Sequence, residues 1–169
     1  MDATGENLTD AEQQQITAAL ATLRIIAGAL IMGVASFAAI TIIIAGGAPN
    51  GNGTILFWIA IAVAVAGIIA SQIATAIMSR AGAKQDLSVE RSIALYTTRM
   101  IVGLAILEGA AFVNLVFFII TGRWLLFAAV ALLVIFMFAK FPTRGGLVRW
   151  IEERKQLAAL EGNEYEPEA

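Results

Sequence analysis

The residue that most directly suggests chemistry is Glu108, an acid inside the long apolar run 100–120. An ionised carboxylate at membrane depth is costly, so such a group usually has a specific partner or a function. Two interpretations remain open. Glu108 is either protonated and hydrogen-bonded between helices, or it exchanges a proton or binds a cation. H⁺ or Na⁺ at Glu108 is therefore the one ligand to consider, and no other cofactor is expected.

Two polar residues of the preceding apolar run could face this acid. Gln72 lies eight residues before Arg80, and Glu108 lies nine residues after Arg99. At 1.5 Å per residue, both lie roughly 12–13 Å from the same edge of the membrane. Since consecutive spans are antiparallel neighbours, we expect Gln72, Ser71 and Glu108 to meet at one level as an ion or proton site.

The same run as Gln72 carries small residues at helical spacing. Small side chains let two helix backbones approach closely, which promotes association in lipid. The pattern predicts a helix-packing seam, either inside the bundle or between protomers. It consists of Ala62, Ala66, Gly67, Ala70, Ser71 and Ala74.

These residues belong to a chain that is 59% hydrophobic, which is too apolar for a water-soluble domain of 169 residues. Its apolar residues form four runs, each near the ~20 residues that a helix needs to cross a bilayer. The sequence predicts an all-α, multi-pass membrane protein with four transmembrane helices. The predicted spans are 25–46, 55–79, 100–121 and 124–141.

Charge predicts the orientation of these spans. Of the eleven Lys and Arg residues, ten fall on one side of the four-helix arrangement and only Arg123 falls on the other. By the positive-inside rule, both termini are cytoplasmic and the protein resides in the cell (inner) membrane. Trp58 and Trp124 would mark the outer interface, and Tyr96 and Trp150 the inner one.

Four segments follow from these patterns: a cytoplasmic tail and helix over 1–22, the transmembrane domain over 23–141, an amphipathic surface helix over 142–160, and an acidic disordered tail over 161–169. Thr9 and Glu12 fit a capping box that begins the first helix. The surface helix is expected to contact lipid headgroups. The contacting residues would be Arg144, Arg149, Trp150 and Arg154.

The absence of two residue types narrows the possible functions. Without Cys there is no disulfide, thiolate metal site or reactive thiol, and without His there is no imidazole acid–base catalysis. We therefore expect no enzyme, no catalytic residues and no metal site. The basic stretch from Arg144 to Lys155 follows a membrane span, so contact with anionic lipid explains it better than nucleic acid.

One family resemblance bears on Glu108. Residues 60–121 resemble the helical hairpin of the rotary-ATPase proteolipid (c) subunits. Ala60-Ile-Ala-Val-Ala-Val-Ala-Gly67 stands where that family has alternating small residues, and Leu104-Ala-Ile-Leu-Glu108-Gly-Ala-Ala where it has its essential acid. Gln72 resembles the glutamine that sodium-type members contribute to the ion. The resemblance implies an ion-carrying role for Glu108.

Two functions are therefore carried forward. The first is a non-enzymatic accessory or structural subunit of a homo-oligomer or a larger membrane complex, with the lipid bilayer and other membrane subunits as partners. The alternative is a proton- or cation-binding membrane protein centred on Glu108, either proteolipid-like or a small transporter.

Overall fold

The computed structural model describes residues 9–45, 53–81 and 89–163, and the described chain is all α-helical. It contains α1 (Asp10–Ala45), α2 (Thr54–Ala81), α3 (Val89–Thr121), α4 (Leu125–Ala139) and α5 (Arg144–Asn163). The predicted positions 1–8, 46–52, 82–88 and 164–169 lie outside the described residues. Residues 161–163, predicted to belong to a disordered tail, are the last turn of α5.

Three helices are long and apolar enough to cross a membrane: α1, α2 and α3. A fourth segment meets the same length and hydropathy criteria only if α4 and α5 are counted together, and these two are bent by 63° at the break between them. The helix α4 has 15 residues and so is about 22 Å long, less than the ~30 Å hydrocarbon core. The helical membrane architecture predicted from the apolar runs is confirmed, with three such helices or up to four.

The predicted start of the first helix is present in atomic detail. The amide of Thr9 donates to the Glu12 carboxylate at 2.8 Å, and the Glu12 amide donates to the Thr9 hydroxyl at 3.4 Å. These two bonds satisfy amides that a helix start leaves without partners. From there α1 continues without a break for 36 residues.

The tight connection between α3 and α4 depends on a glycine. Gly122 has φ of 64°, in the left-handed region that only glycine enters without steric cost. Its amide donates to the carbonyl of Phe118 at 2.8 Å and so closes the end of α3. The turn brings α4 back along α3 as an antiparallel neighbour.

The helix α3 is the centre of the bundle. It contacts every other helix, and more of its apolar segment is buried than in α1 or α2. The helices α1 and α2 both pack on α3 but make no contact with each other in the described parts of the chain. Between them, one face of α3 remains uncovered.

The amphipathic helix α5 packs on protein through the apolar face of its first half. Leu147 and Ile151 are buried in a cluster with residues of α1 and α3. The sequence predicted an amphipathic surface helix in this segment. The first turns of α1 and α3 extend beyond the apolar spans and present their own apolar residues to this face. These are Ile16, Leu20, Leu23 and Tyr96.

The tightest helix contact joins α2 to α3 at Gly67. A Cβ added to Gly67 would lie 2.6 Å from the Cβ of Ala110, so the two helices could not hold their present separation. We expect Gly67→Ala to lower the free energy of unfolding by about 1–3 kcal/mol, because an overpacked contact must shift backbone. Unfolding in mixed detergent micelles, followed by loss of helicity, measures this difference.

Gly28→Ala in α1 is the matched control, since a Cβ there would meet nothing within 4 Å. It brings the same change in helix propensity without the clash. Equal stability of the two variants would contradict the close α2–α3 contact.

Candidate functional site

Glu108 lies on the side of α3 that faces α1. Its Oε1 atom is 3.4 Å from the position that a Cβ on Gly33 would occupy. The absence of a side chain at Gly33 therefore gives the carboxylate room beside α1. One turn farther along, Phe37 of α1 and Phe112 of α3 make an edge-to-face contact with ring centroids 5.2 Å apart.

The carboxylate of Glu108 is half-buried and, among the described residues, makes no hydrogen bond or ion pair. Glu108 also borders the uncovered face of α3. That face consists of Ala105, Gly109, Val113, Val116 and Ile120, all exposed, and we call it the open face. A Cβ added to Gly109 would meet nothing within 4 Å.

Gln72 is placed away from this acid. The buried row of α2 that packs towards α3 includes Ala64, Gly67 and Ser71, whereas Gln72 is exposed. One residue after Ser71, Gln72 is turned about 100° around the helix. Ser71 bonds to Gly103 and Glu108 approaches Gly33, so the predicted trio is divided between two different sides of α3.

The small residues of the predicted seam are also divided. Gly67 and Ser71 are buried against α3, and Ala74 is half-buried. Ala62, Ala66 and Ala70 are exposed on the surface of the single chain. The contact between α2 and α3 therefore uses the i+4 row containing Gly67, Ser71 and Thr75, and the alanine row points outward.

A polar site that the sequence did not predict is centred on Ser71. The Ser71 hydroxyl donates to the carbonyl of Gly103 at 2.8 Å and accepts a hydrogen bond from the Lys140 ammonium, also at 2.8 Å. The Lys140 ammonium also approaches the Ser71 carbonyl at 3.4 Å. This chain of bonds links the end of α4 to α2 and α3. We call Lys140, Ser71 and Gly103 the lysine relay.

Lys140 was predicted only as one of the cytoplasmic positive charges. It follows α4 directly, and the short length of α4 is the sequence signal that could have revealed its role. Because α4 has only 15 residues, Lys140 lies nearer the middle of the bundle than a residue that follows a longer span. Its four-carbon stem can then reach back along apolar surface to a polar group.

The remaining predicted site residues lie on α5, at one end of the bundle. Arg144 and Arg149 are exposed, and Arg149 pairs with Glu153 at 3.6 Å. Trp150 is half-buried and stacks under the guanidinium of Arg99, 4.7 Å from ring centroid to Cζ. The side chain of Arg154 lies outside the described residues.

Asn114 is fully buried on the side of α3 that faces α2 and α4. Its amide nitrogen donates to the carbonyl of Ala110 at 2.9 Å, while its Oδ1 has no partner among the described residues. The hydrogen bond of this side chain thus forms within α3 itself. In the described residues no group of three or more acids that could hold a metal ion occurs.

Comparison of the chain with protein-family models, curated proteins and solved structures gives no significant match. The resemblance of residues 60–121 to the proteolipid hairpin is therefore carried by the quoted motifs alone. The separation of Gln72 from Glu108 removes the two-residue ion site that the resemblance implies within one copy of the chain.

The lysine relay generates a stability prediction. We expect Ser71→Ala to lower the free energy of unfolding by about 1–3 kcal/mol, since it removes a hydrogen bond to a charged group and leaves the ammonium without its nearest acceptor. Ser36→Ala is the matched control, because Ser36 is exposed on α1. If the two variants unfold alike in mixed micelles, the relay does not contribute to stability.

Proposed function

We propose that this protein is a non-enzymatic subunit of a membrane assembly, in the simplest case a homo-oligomer. It crosses the cell (inner) membrane four times, with α4 as the short fourth span and both termini in the cytoplasm. The distribution of Lys and Arg supports this orientation. Trp58 and Trp124 support it as well, because both are exposed near the ends of helices on the opposite side of the bundle.

The observation that carries the proposal is the open face of α3. The most central helix of the bundle remains uncovered between α1 and α2, and the uncovered part near Glu108 consists of small residues. In lipid, close approach of backbones over Ala and Gly is a main source of helix association. A helix from a second copy or another subunit would gain such packing there.

Glu108 adds a second reason. A carboxylate at this depth without a partner is unfavourable, and a helix docked on the open face would shield it from lipid and could supply a hydrogen-bonding group. The exposed alanine row of α2, Ala62, Ala66 and Ala70, provides another small-residue surface for assembly.

A bulky residue on the open face tests the assembly proposal. Gly109→Leu should leave the single chain folded, because a Cβ there meets nothing within 4 Å, but should reduce the oligomer fraction severalfold by blocking close approach. Native mass spectrometry from mild detergent measures the fraction. Ala131→Leu, at an exposed position of α4, is the matched control and should keep the wild-type oligomer.

Two results would contradict assembly through this face. One is a wild-type protein that remains monomeric at every protein-to-detergent ratio. The other is equal loss of oligomer in both variants, because that would place the effect in the detergent or in general hydrophobicity.

A second function, proton or cation handling at Glu108, is supported by a specific observation. The carboxylate borders the open face, is half-exposed and lacks a hydrogen bond among the described residues. Such a group can exchange a proton or a cation without first breaking a protein contact. Because Gln72 lies elsewhere, the site would depend on Glu108 with groups from lipid, water or a second subunit.

Labelling with a hydrophobic carbodiimide separates this function from a structural one. Such reagents attack the protonated carboxyl, so we expect labelling of Glu108 to decrease as pH rises and, for a sodium site, to decrease with added Na⁺. Glu108→Gln should abolish labelling and any ion flux in reconstituted vesicles. Gln72→Ala is the control and should leave both unchanged. Flux that persists in Glu108→Gln would rule out the function.

A further inference from the structure

Two positive charges lie near each other where α4 ends beside the first half of α3. The Lys140 ammonium is 3.4 Å from the position of a Cβ on Gly103, and Arg99 is one turn before Gly103 on the same side of α3. The charge of Arg99 acts unfavourably on the Lys140 ammonium. Since both side chains are half-buried, water screens this repulsion less than at an open surface.

In the part of the chain that the structure describes, no acid neutralises these two cations. The ion pair found there joins Arg149 to Glu153, on the exposed surface of α5. Within the described segments, Lys140 bonds only to uncharged atoms, the hydroxyl and carbonyl oxygen of Ser71. Counted over the described residues, the local charge is therefore positive by two.

The guanidinium of Arg99 lies over the Trp150 ring, with Cζ 4.7 Å from the centroid. A guanidinium in such a cation–π contact still carries N–H donors that can match two oxygens of a phosphate. The Lys140 ammonium has three donors, of which Ser71 receives two, so one donor is still available for an anion.

The surroundings indicate which phosphate compound would reach this position. Tyr96 and Trp150 lie beside Arg99, with ring centroids 6.3 Å apart, and aromatic residues of this kind favour the level of lipid headgroups. The apolar spans of α3 and α4 continue directly from it on the other side. A molecule with a phosphate and acyl chains would place the phosphate on the cations and the chains along these spans.

We propose that Arg99 and Lys140, beside the ring of Trp150, bind the phosphate of an anionic phospholipid headgroup. The site is separate from the open face of α3 and does not depend on assembly. It also differs from the general attraction of a basic surface helix for lipid, because Arg99 and Lys140 belong to the inner ends of the bundle helices.

Quenching of Trp150 by brominated lipid tests the proposal in the full-length protein. The chain has three Trp residues, and Trp58→Phe with Trp124→Phe leaves Trp150 as the single reporter. Vesicles contain brominated phosphatidylglycerol or brominated phosphatidylcholine. We expect the anionic lipid to associate about fivefold or more in preference to the zwitterionic one, as one or more lysine or arginine contacts would give.

Charge-removing variants then localise the preference. Arg99→Gln and Lys140→Gln should each bring the ratio of anionic to zwitterionic lipid association close to one. In Lys140→Gln the side-chain amide can still donate to Ser71. Arg99→Lys keeps the charge without the planar fork and should retain an intermediate preference. Arg91→Gln is the matched control, since it removes one exposed positive charge from the start of α3, and it should retain the wild-type preference.

Each alternative has its own outcome. Loss of preference in Arg91→Gln equal to that in Arg99→Gln would mean diffuse surface attraction and would overturn the site. Loss of preference on adding inorganic phosphate at constant ionic strength would assign the cations to a soluble phosphate and overturn the lipid as ligand. Circular dichroism checks folding, and if Arg99→Gln is misfolded, the preference in Lys140→Gln decides the result.

Discussion

The close approach of α2 to α3 at Gly67 and Ala110 is the contact on which the other polar arrangements depend. It fixes the rotation of α2 about its axis, because only a residue without a side chain fits against Ala110 at this distance. With Gly67 inward, Ser71 and Thr75 follow inward at i+4 and i+8. Ser71 then reaches the Gly103 carbonyl, and Gln72 necessarily turns to the surface.

The same rotation determines what Lys140 can bind. A buried hydroxyl on α2 and a backbone carbonyl on α3 provide a polar position beside the end of α4. Without it, an ammonium this close to apolar helices would have no acceptor in the bundle. The apolar contact at Gly67 therefore positions the hydrogen bonds among Lys140, Ser71 and Gly103, one turn away along α2.

Much of the architecture could be predicted from the sequence because the signals were local. Apolar runs identified the three long helices, and Thr9 and Glu12 predicted the start of α1. Helix rotation was less accessible. The helix α2 has two neighbouring i+4 rows of small side chains, one of alanines and one containing Gly67 and Ser71. The sequence alone does not show which row faces α3, because the contact with Ala110 that selects the second row is tertiary.

Gln72 and Glu108 also show that helix rotation is harder to predict from sequence than position along the helix. Depth along a helix follows from counting residues, which is why Gln72 and Glu108 were placed at one level. The direction of each side chain follows from packing, which leaves Gln72 exposed on α2 and turns Glu108 towards Gly33 of α1. Neither depth nor direction could be read from the sequence for Lys140. Its contact with Ser71 arises from a short helix and a flexible side chain that extends back towards α2.

The contrast between Lys140 and Glu108 indicates what a single copy of the chain lacks. Both carry a group that is costly to bury, and one copy supplies oxygen acceptors to the ammonium. For the carboxylate, the described residues supply only space beside Gly33 and an uncovered neighbouring face. The bundle thus provides hydrogen-bond acceptors for the Lys140 ammonium from its own residues. Its acid finds no such acceptor or donor among the described residues, and the open face of α3 is where a further group would enter.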